Sequence, residues 1–226
     1  MSIKSTGNLS TPGSSVTDQS IIRGTSLLSS EELEKLGSLI VVTGPSGVGK
    51  GTVTGGALEQ VTGLEKSVSV TTRPRREGEE DGVEYFFRSE EQFADMRKEG
   101  EFLEYAEFAG YHYGTPEFWV EQKIRSGTDV ILEIEVQGAM QVRESCPEAV
   151  LVFLSPPSYE ELENRLNKRA TESKERIALR LDKAREEIMC RHLFDYEVIN
   201  DNIEEAIGNL AHIVYAERLK IRSSEG

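Results

Sequence analysis

Leu39-Ile40-Val41-Val42 leads, through a single threonine, into Gly44-Pro45-Ser46-Gly47-Val48-Gly49-Lys50-Gly51-Thr52. Four consecutive apolar residues suit a short strand buried on both faces, as in a parallel sheet. Glycines at this spacing let successive backbone N–H groups converge on phosphate oxygens, and the helix that follows adds the positive end of its dipole. Lys50 supplies a point charge for the outer phosphates. Strand, loop and helix in this order point to an α/β fold that binds a nucleoside triphosphate at residues 44–52. The loop alone does not separate a kinase from a GTPase or an ATPase. It departs from the usual pattern at one place: Gly51 stands where Ser or Thr normally follows the lysine, and Thr52 carries the first hydroxyl. No protein ligand for Mg²⁺ is therefore identified, and the ion is expected to be held by the nucleotide's phosphates and water.

Alternation of strand and helix signals extends along the chain. Residues 67–72, 85–88, 130–136, 149–154 and 198–199 read as strands. Ser89 with Gln92 caps a helix ending at Gly100, Thr115-Pro116 opens another, Ser158 with Glu161 starts a third, and an Arg-rich helix covers about 176–191. Ile203, Ala206, Ile207, Leu210, Ile213 and Val214 keep the spacing of a helix lying on a core. A parallel sheet flanked by helices on both faces follows from this order. Residues 1–28 are rich in Ser, Thr and Gly and bury too little to order, so 1–37 is expected to be a flexible extension, with a short helix from Ser29-Glu32 stopping at Gly37.

Composition narrows the partners. Twenty-six Lys and Arg against 40 Asp and Glu leave a charge of −14, which argues against nucleic acid and anionic membranes as ligands. Cys146 and Cys190 have no metal-ligand spacing, no apolar run is long enough to span a membrane, and residues 1–28 lack a secretory stretch. A cytoplasmic location is expected; the oligomeric state is not legible. Within this acidic chain, Arg73, Arg75 and Arg76 make a local positive patch suited to a phosphate. Glu133 and Glu135 are expected on one side of an otherwise apolar strand, where charge implies function.

Taken together, the phosphate-binding loop, Thr71-Thr72-Arg73 with Arg76 and Tyr85, Phe102-Leu103-Glu104-Tyr105, Tyr111-His112-Tyr113-Gly114-Thr115-Pro116, Glu133-Ile134-Glu135-Val136-Gln137-Gly138, the lid-like Arg165–Ser173 stretch and Val198-Ile199-Asn200-Asp201 resemble guanylate kinase. The likeness runs from about Leu39 to the C-terminus. It implies a P-loop NTPase-type parallel sheet with a small GMP-binding subdomain and a helical lid. The domain would cover 38–222, with a core of 38–66, 118–154 and 195–222, a GMP-binding part at 67–117 and a lid region at 155–194. It further implies transfer of the γ-phosphoryl group of ATP, with Mg²⁺, to GMP. Arg73, Arg76, Tyr85 and Tyr113 fall where the family holds the GMP phosphate, and Ser69, Glu104, Thr115 and Glu133 where it reads guanine. Arg169 and Arg180 correspond to lid cations that close on the transferred group. The family usually has Asp at 133 and 135, Ser at 115 and Gly at 170, where this chain has Glu, Glu, Thr and Ala.

The chemistry of the acceptor fits independently. Guanine offers N1–H and N2–H donors that suit a carboxylate, and an O6 acceptor that suits a hydroxyl; AMP would leave both partners unpaired. No general base is needed, because the GMP phosphate is already anionic near neutral pH, and His112, His192 and His212 are read as structural. The competing readings are a scaffold module that uses the same cleft for a protein, and another nucleoside-monophosphate kinase. The intact loop and arginines favour the enzyme, and the guanine-reading set favours GMP.

Overall fold

A computed structural model describes residues 36–168 and 174–221. Arg169, the Ser29–Glu32 cap, most of the N-terminal extension and the domain's end at residue 222 lie outside the described residues.

Strand β1 (Leu39–Thr43) is buried at every position. The phosphate-binding loop leads from it into helix α1 (Lys50–Gln60), whose N-cap Gly49 has φ 98° and makes no side-chain cap bond. The first N–H groups of α1 therefore end at the loop without a covering side chain, as anion binding requires. Strand β2 (Leu64–Lys66) follows, then β3 (Val70–Thr71) and β4 (Phe86–Phe87). Helix α2 (Glu90–Glu99) has the full capping box of Ser89 and Gln92, and Gly100 closes it in the left-handed conformation. Strands β5 (Phe102–Phe108) and β6 (Tyr111–Pro116) form a hairpin ahead of helix α3 (Glu117–Arg125). Next come β7 (Asp129–Glu133), helix α4 (Val136–Ser145), β8 (Val150–Ser155) and helices α5 (Tyr159–Lys168) and α6 (Lys174–Met189). A 3₁₀ turn at Cys190–Leu193, β9 (Tyr196–Ile199) and helix α7 (Ile203–Arg218) complete the described chain.

The main sheet has five parallel strands in the order β2-β7-β1-β8-β9, with Ile40 beside both Ile131 and Val150. Successive residues of β1 point to opposite faces. Ile40 and Val42 pack with Val53, Ala57, Leu210 and Val214, whereas Leu39 and Val41 pack with Val120, Ile124, Val142 and Leu151. The sheet is thus covered by α1 and α7 on one side and α3 and α4 on the other. A second sheet, β4-β3-β6-β5, combines a parallel pair with two antiparallel ones. Phe93 of α2 stacks on Phe102 of β5 with ring centroids 4.6 Å apart. Helices α5 and α6 share a separate small core of Leu162, Leu166, Leu181 and Ala184.

Three expectations are corrected. Residues 67–72 are not one strand: Ser67 N–H makes a last bond to Ile131 O at 3.0 Å, and the chain then crosses to the second sheet at Val70. Strand propensity reports a pleated, half-buried setting and does not distinguish two sheets. The strand expected at 130–136 ends at Glu133. Glu135 is instead the N-cap of α4, still extended at φ −84° and ψ 165°, so the backbone looks strand-like after pairing has stopped. Finally, Pro116 is the N-cap of α3 and Thr115 belongs to β6, because the fixed φ of proline, −73° here, suits the end of a strand as well as the start of a helix. Helix α4 itself was not anticipated. Among the described residues, no helix is long and apolar enough to cross a membrane.

Candidate active site

The loop of residues 44–52 is held open by contacts from outside itself. Asn200, just after β9, donates from Nδ2 to Val48 O at 2.7 Å, and Arg165 of α5 donates to Asn200 O at 3.0 Å. Lys50 folds back over the loop, its Nζ donating to Gly44 O at 2.5 Å and Pro45 O at 3.5 Å. Burial lowers its pKa, while the carboxylates of Glu187, Glu133 and Glu135 act the other way. A cation so placed needs little reorganisation to meet phosphate oxygens.

Helix α6 reaches this loop and the start of α4. Arg180 Nη2 donates to Ser46 Oγ at 2.7 Å, and Lys183 Nζ reaches Glu135 at 2.5 Å and Glu187 at 3.8 Å. Glu187 is buried at 8% exposure, and burial is the main cause of its raised pKa. A stripe of Ile177, Leu181, Ala184 and Ile188 packs on α5, which turns Arg180 and Lys183 toward the cleft. Neither Asn200, Lys183 nor Glu187 was singled out from the sequence as a site residue. Only the Val198–Asp201 motif hinted at Asn200, whereas no motif in the sequence marks Lys183 or Glu187.

Across from the loop, Ser69, Tyr85, Glu104, Tyr113, Glu133, Gly138 and Lys183 line one cleft of about 660 Å³. Neighbouring strands carry its polar pair: Glu104 and Thr115 are cross-strand partners in β5 and β6, and Thr115 Oγ1 donates to Glu104 Oε1 at 2.6 Å. Burial pushes the Glu104 carboxyl above the ordinary carboxylate range, and the Thr115 bond only partly offsets this. Gly138 of α4 leaves room for the other oxygen, since a Cβ there would stand 2.9 Å from Glu104 Oε2.

Arg73 lies over the Tyr85 ring, 5.4 Å from its centroid, and Tyr85 meets Tyr113 edge to face at 6.0 Å. Its guanidinium pairs with Glu79 at 2.7 Å, and Glu79 also accepts the Arg76 backbone N–H at 2.8 Å. The structure therefore gathers Arg73, Tyr85 and Tyr113, with Arg76 exposed on the same turn. Glu133 lies on the side of the cleft nearer α1. Its Oε2 accepts from Thr54 Oγ1 and from Lys66 Nζ, each at 3.1 Å. His112 pairs with Glu90 at 2.9 Å and stacks on Phe93, while His192 meets Met189 O at 2.8 Å, both structural contacts.

Comparison with known proteins shows the family to which the chain belongs. A family model described as guanylate kinase matches residues 37–217. The chain is 48% identical over 188 residues to the guanylate kinase of Oceanobacillus iheyensis, covering 83% of this chain and 91% of that protein. It is 50% identical over 189 residues to the guanylate kinase of Lactococcus lactis, covering 84% and 92%. The crystal structure of guanylate kinase from Anaplasma phagocytophilum aligns with a TM-score of 0.63 at 35% identity, covering 82% of this chain and 88% of that one.

Proposed function

The chain belongs to the guanylate kinase family and is an enzyme that phosphorylates GMP from ATP, and we propose how its residues divide that work. ATP sits with its phosphates in the loop of residues 44–52, where Lys50 meets the outer phosphates. GMP enters the opposite cleft, its phosphate held by Arg73, Arg76, Tyr85 and Tyr113 and its base read by Ser69, Glu104, Thr115 and Glu133. Residues 67–117 form the GMP-binding part, and 155–194 form a lid that carries Arg169 and Arg180 to the transferred group. The observation that supports this reading best is the buried Glu104 carboxylate, tied to Thr115 beside the cleft that Tyr85 and Tyr113 line, with Arg73 lying over the Tyr85 ring. A carboxylate beside a hydroxyl suits the N1–H, N2–H and O6 edge of guanine and leaves adenine's edge unmatched.

A phosphate oxygen of GMP attacks the γ-phosphorus of ATP, the new P–O bond forms as the bond to the β-phosphate oxygen breaks, and GDP and ADP leave. The transition state spreads charge over three equatorial oxygens, so positioning and neutralisation do most of the work. Lys50 and Arg180 supply the positive charge, and closure of the lid keeps water from taking the phosphoryl group. Glu133, a hard oxygen donor facing the start of α1, fits a divalent ion otherwise held by phosphate and water. Mg²⁺, when bound, neutralises the β- and γ-oxygens of ATP. We place this activity in the cytoplasm, with ATP and GMP as its partners.

The test is an ADP-release assay with GMP, AMP, CMP and UMP as acceptors. GMP should be strongly preferred; turnover of AMP at a similar kcat/KM would overturn the assignment of the acceptor cleft.

A further inference from the structure

Helix α4 lies along the outer edge of β5, the strand that ends the second sheet. Gly138, Gln141 and Ser145 follow one another at three- and four-residue spacing and so share one face of α4. All three meet β5 around Glu104. Gln141 accepts the Tyr105 backbone N–H at Oε1 and donates from Nε2 to Tyr105 O, both at 3.1 Å. Ser145 Oγ donates to Leu103 O at 3.1 Å, and Gly138 leaves the room that Glu104 Oε2 occupies. Only one orientation of the Gln141 amide satisfies both groups of Tyr105, so it copies the N–H and C=O pair of an adjoining strand. Register with β6 shifts between Phe102 and Glu104, with Leu103 the extra residue. Leu103 is buried in the same core as Ala139 and Val142 of α4. Such a shift re-aims side chains and disrupts the ladder beside it. Glu104 is the first residue after it, and Gln141 fastens the backbone at the next.

We propose that Gln141 is a positioning residue for the acceptor: its amide serves as a substitute strand that fixes the backbone beside Glu104, and so holds the carboxylate where guanine's N1–H and N2–H arrive. The inference rests on Glu104 reading the base, and it gives Gln141 no contact with substrate. A hydrogen-bonding site discriminates only while its groups stay in place, and a displacement of about 1 Å can cost roughly 10²-fold. Because α4 follows directly from β7 of the main sheet, the same clamp sets the acceptor cleft relative to the phosphate-binding loop.

Steady-state kinetics with GMP and AMP as acceptors compare the parent with Gln141→Leu, Gln141→Met, Glu104→Gln and the double variant Glu104→Gln/Gln141→Leu. Gln141→Leu should lower kcat/KM for GMP by roughly 10- to 100-fold, chiefly through KM for GMP. KM for ATP should stay within about twofold of the parent, because the clamp lies outside the nucleotide loop. The GMP-to-AMP ratio should fall by about tenfold. In the double variant the loss should exceed that of Glu104→Gln by no more than about threefold, since both changes act on one group. A Gln141 that only stabilises the fold would lower both acceptors alike and add its loss to that of Glu104→Gln; either result overturns the proposal. Gln141→Met keeps the side chain's length and helix preference while losing both bonds, so a parent-like ratio there overturns the proposal even where Gln141→Leu does not fold. An unchanged ratio in Glu104→Gln would instead remove the base-reading role of Glu104, and this inference with it.

Discussion

Thr115 Oγ1 donates a 2.6 Å hydrogen bond to Glu104 Oε1, and the carboxylate that receives it is only 6% exposed. The bond satisfies part of a buried charge and leaves the rest to a ligand. Burial of this kind is costly unless a partner offsets it, and in the proposed function a base carrying two N–H donors is that partner.

Replacing Glu104 should therefore damage selectivity before it damages folding. In Glu104→Gln one acceptor becomes a donor, and kcat/KM for GMP relative to AMP should fall by roughly 10²-fold or more. Parallel assays with the two acceptors measure the ratio. An unchanged ratio would take Glu104 out of the base-reading set.

The same carboxyl predicts a pH dependence. Its folded pKa is raised above the ordinary 4.5, chiefly by burial. A raised value means that the native state holds the proton more tightly than the unfolded chain. The stability it contributes is fully present below 4.5 and is lost as pH rises through the raised value. Guanine needs the ionised form, so the KM for GMP should climb as the pH falls through that window. Thermal melts and KM measured against pH check both trends. Comparison with Glu104→Gln separates the carboxyl from the titration of GMP's own phosphate.

Lys50→Ala should reduce phosphoryl transfer by at least about 10³-fold while GMP binding is largely retained. Among the described residues, the side chain's hydrogen bonds go to carbonyls of its own loop, at Gly44 and Pro45, and none goes to the acceptor cleft. Steady-state kinetics with calorimetric GMP titration tests the split. Catalysis within tenfold of the parent would contradict the role of Lys50.

Arg180→Ala should lower kcat by roughly 10³-fold, in the range set by arginines that act on transferring phosphoryl groups. Its guanidinium already touches the nucleotide loop through Ser46, 134 residues away in sequence. A change in KM for ATP with kcat preserved would assign Arg180 to ground-state binding instead.

A stability prediction concerns the far end of the sheet. Asp129, 2% exposed, accepts from Ser38 N–H at 2.6 Å and from Arg218 Nε at 2.7 Å, tying the start of β1 to the end of α7. Asp129→Ala should cost about 2–3 kcal/mol in denaturant unfolding, with kcat unchanged. A loss below 0.5 kcal/mol would show that the tie is not needed, since surface changes of that size are ordinary.

Much of the scaffold was legible because its signals are local. The Ser89-Gln92 box, the Gly100 stop and the buried run of β1 each depend on residues within one turn or one strand, and each appears where its pattern indicates. Glu135 was misread for the same reason: extended backbone continues past the last paired residue, and alternation does not mark where a neighbouring strand stops. Helix α4 escaped because its opening Val136 looked like the end of a strand rather than the start of a turn.

By itself, the sequence determined the phosphate-binding loop and the parallel core around it, since spacing and residue type suffice for these, and its resemblance to guanylate kinase implied the acids, hydroxyls and arginines of the acceptor cleft. Only the tertiary structure decided that Asn200 braces Val48, that Lys183 reaches Glu135 and that Glu133 leans on the space left at Gly51. Those contacts join residues 48 to 152 positions apart. Their geometry is set by how sheet and helices pack, which no local propensity encodes.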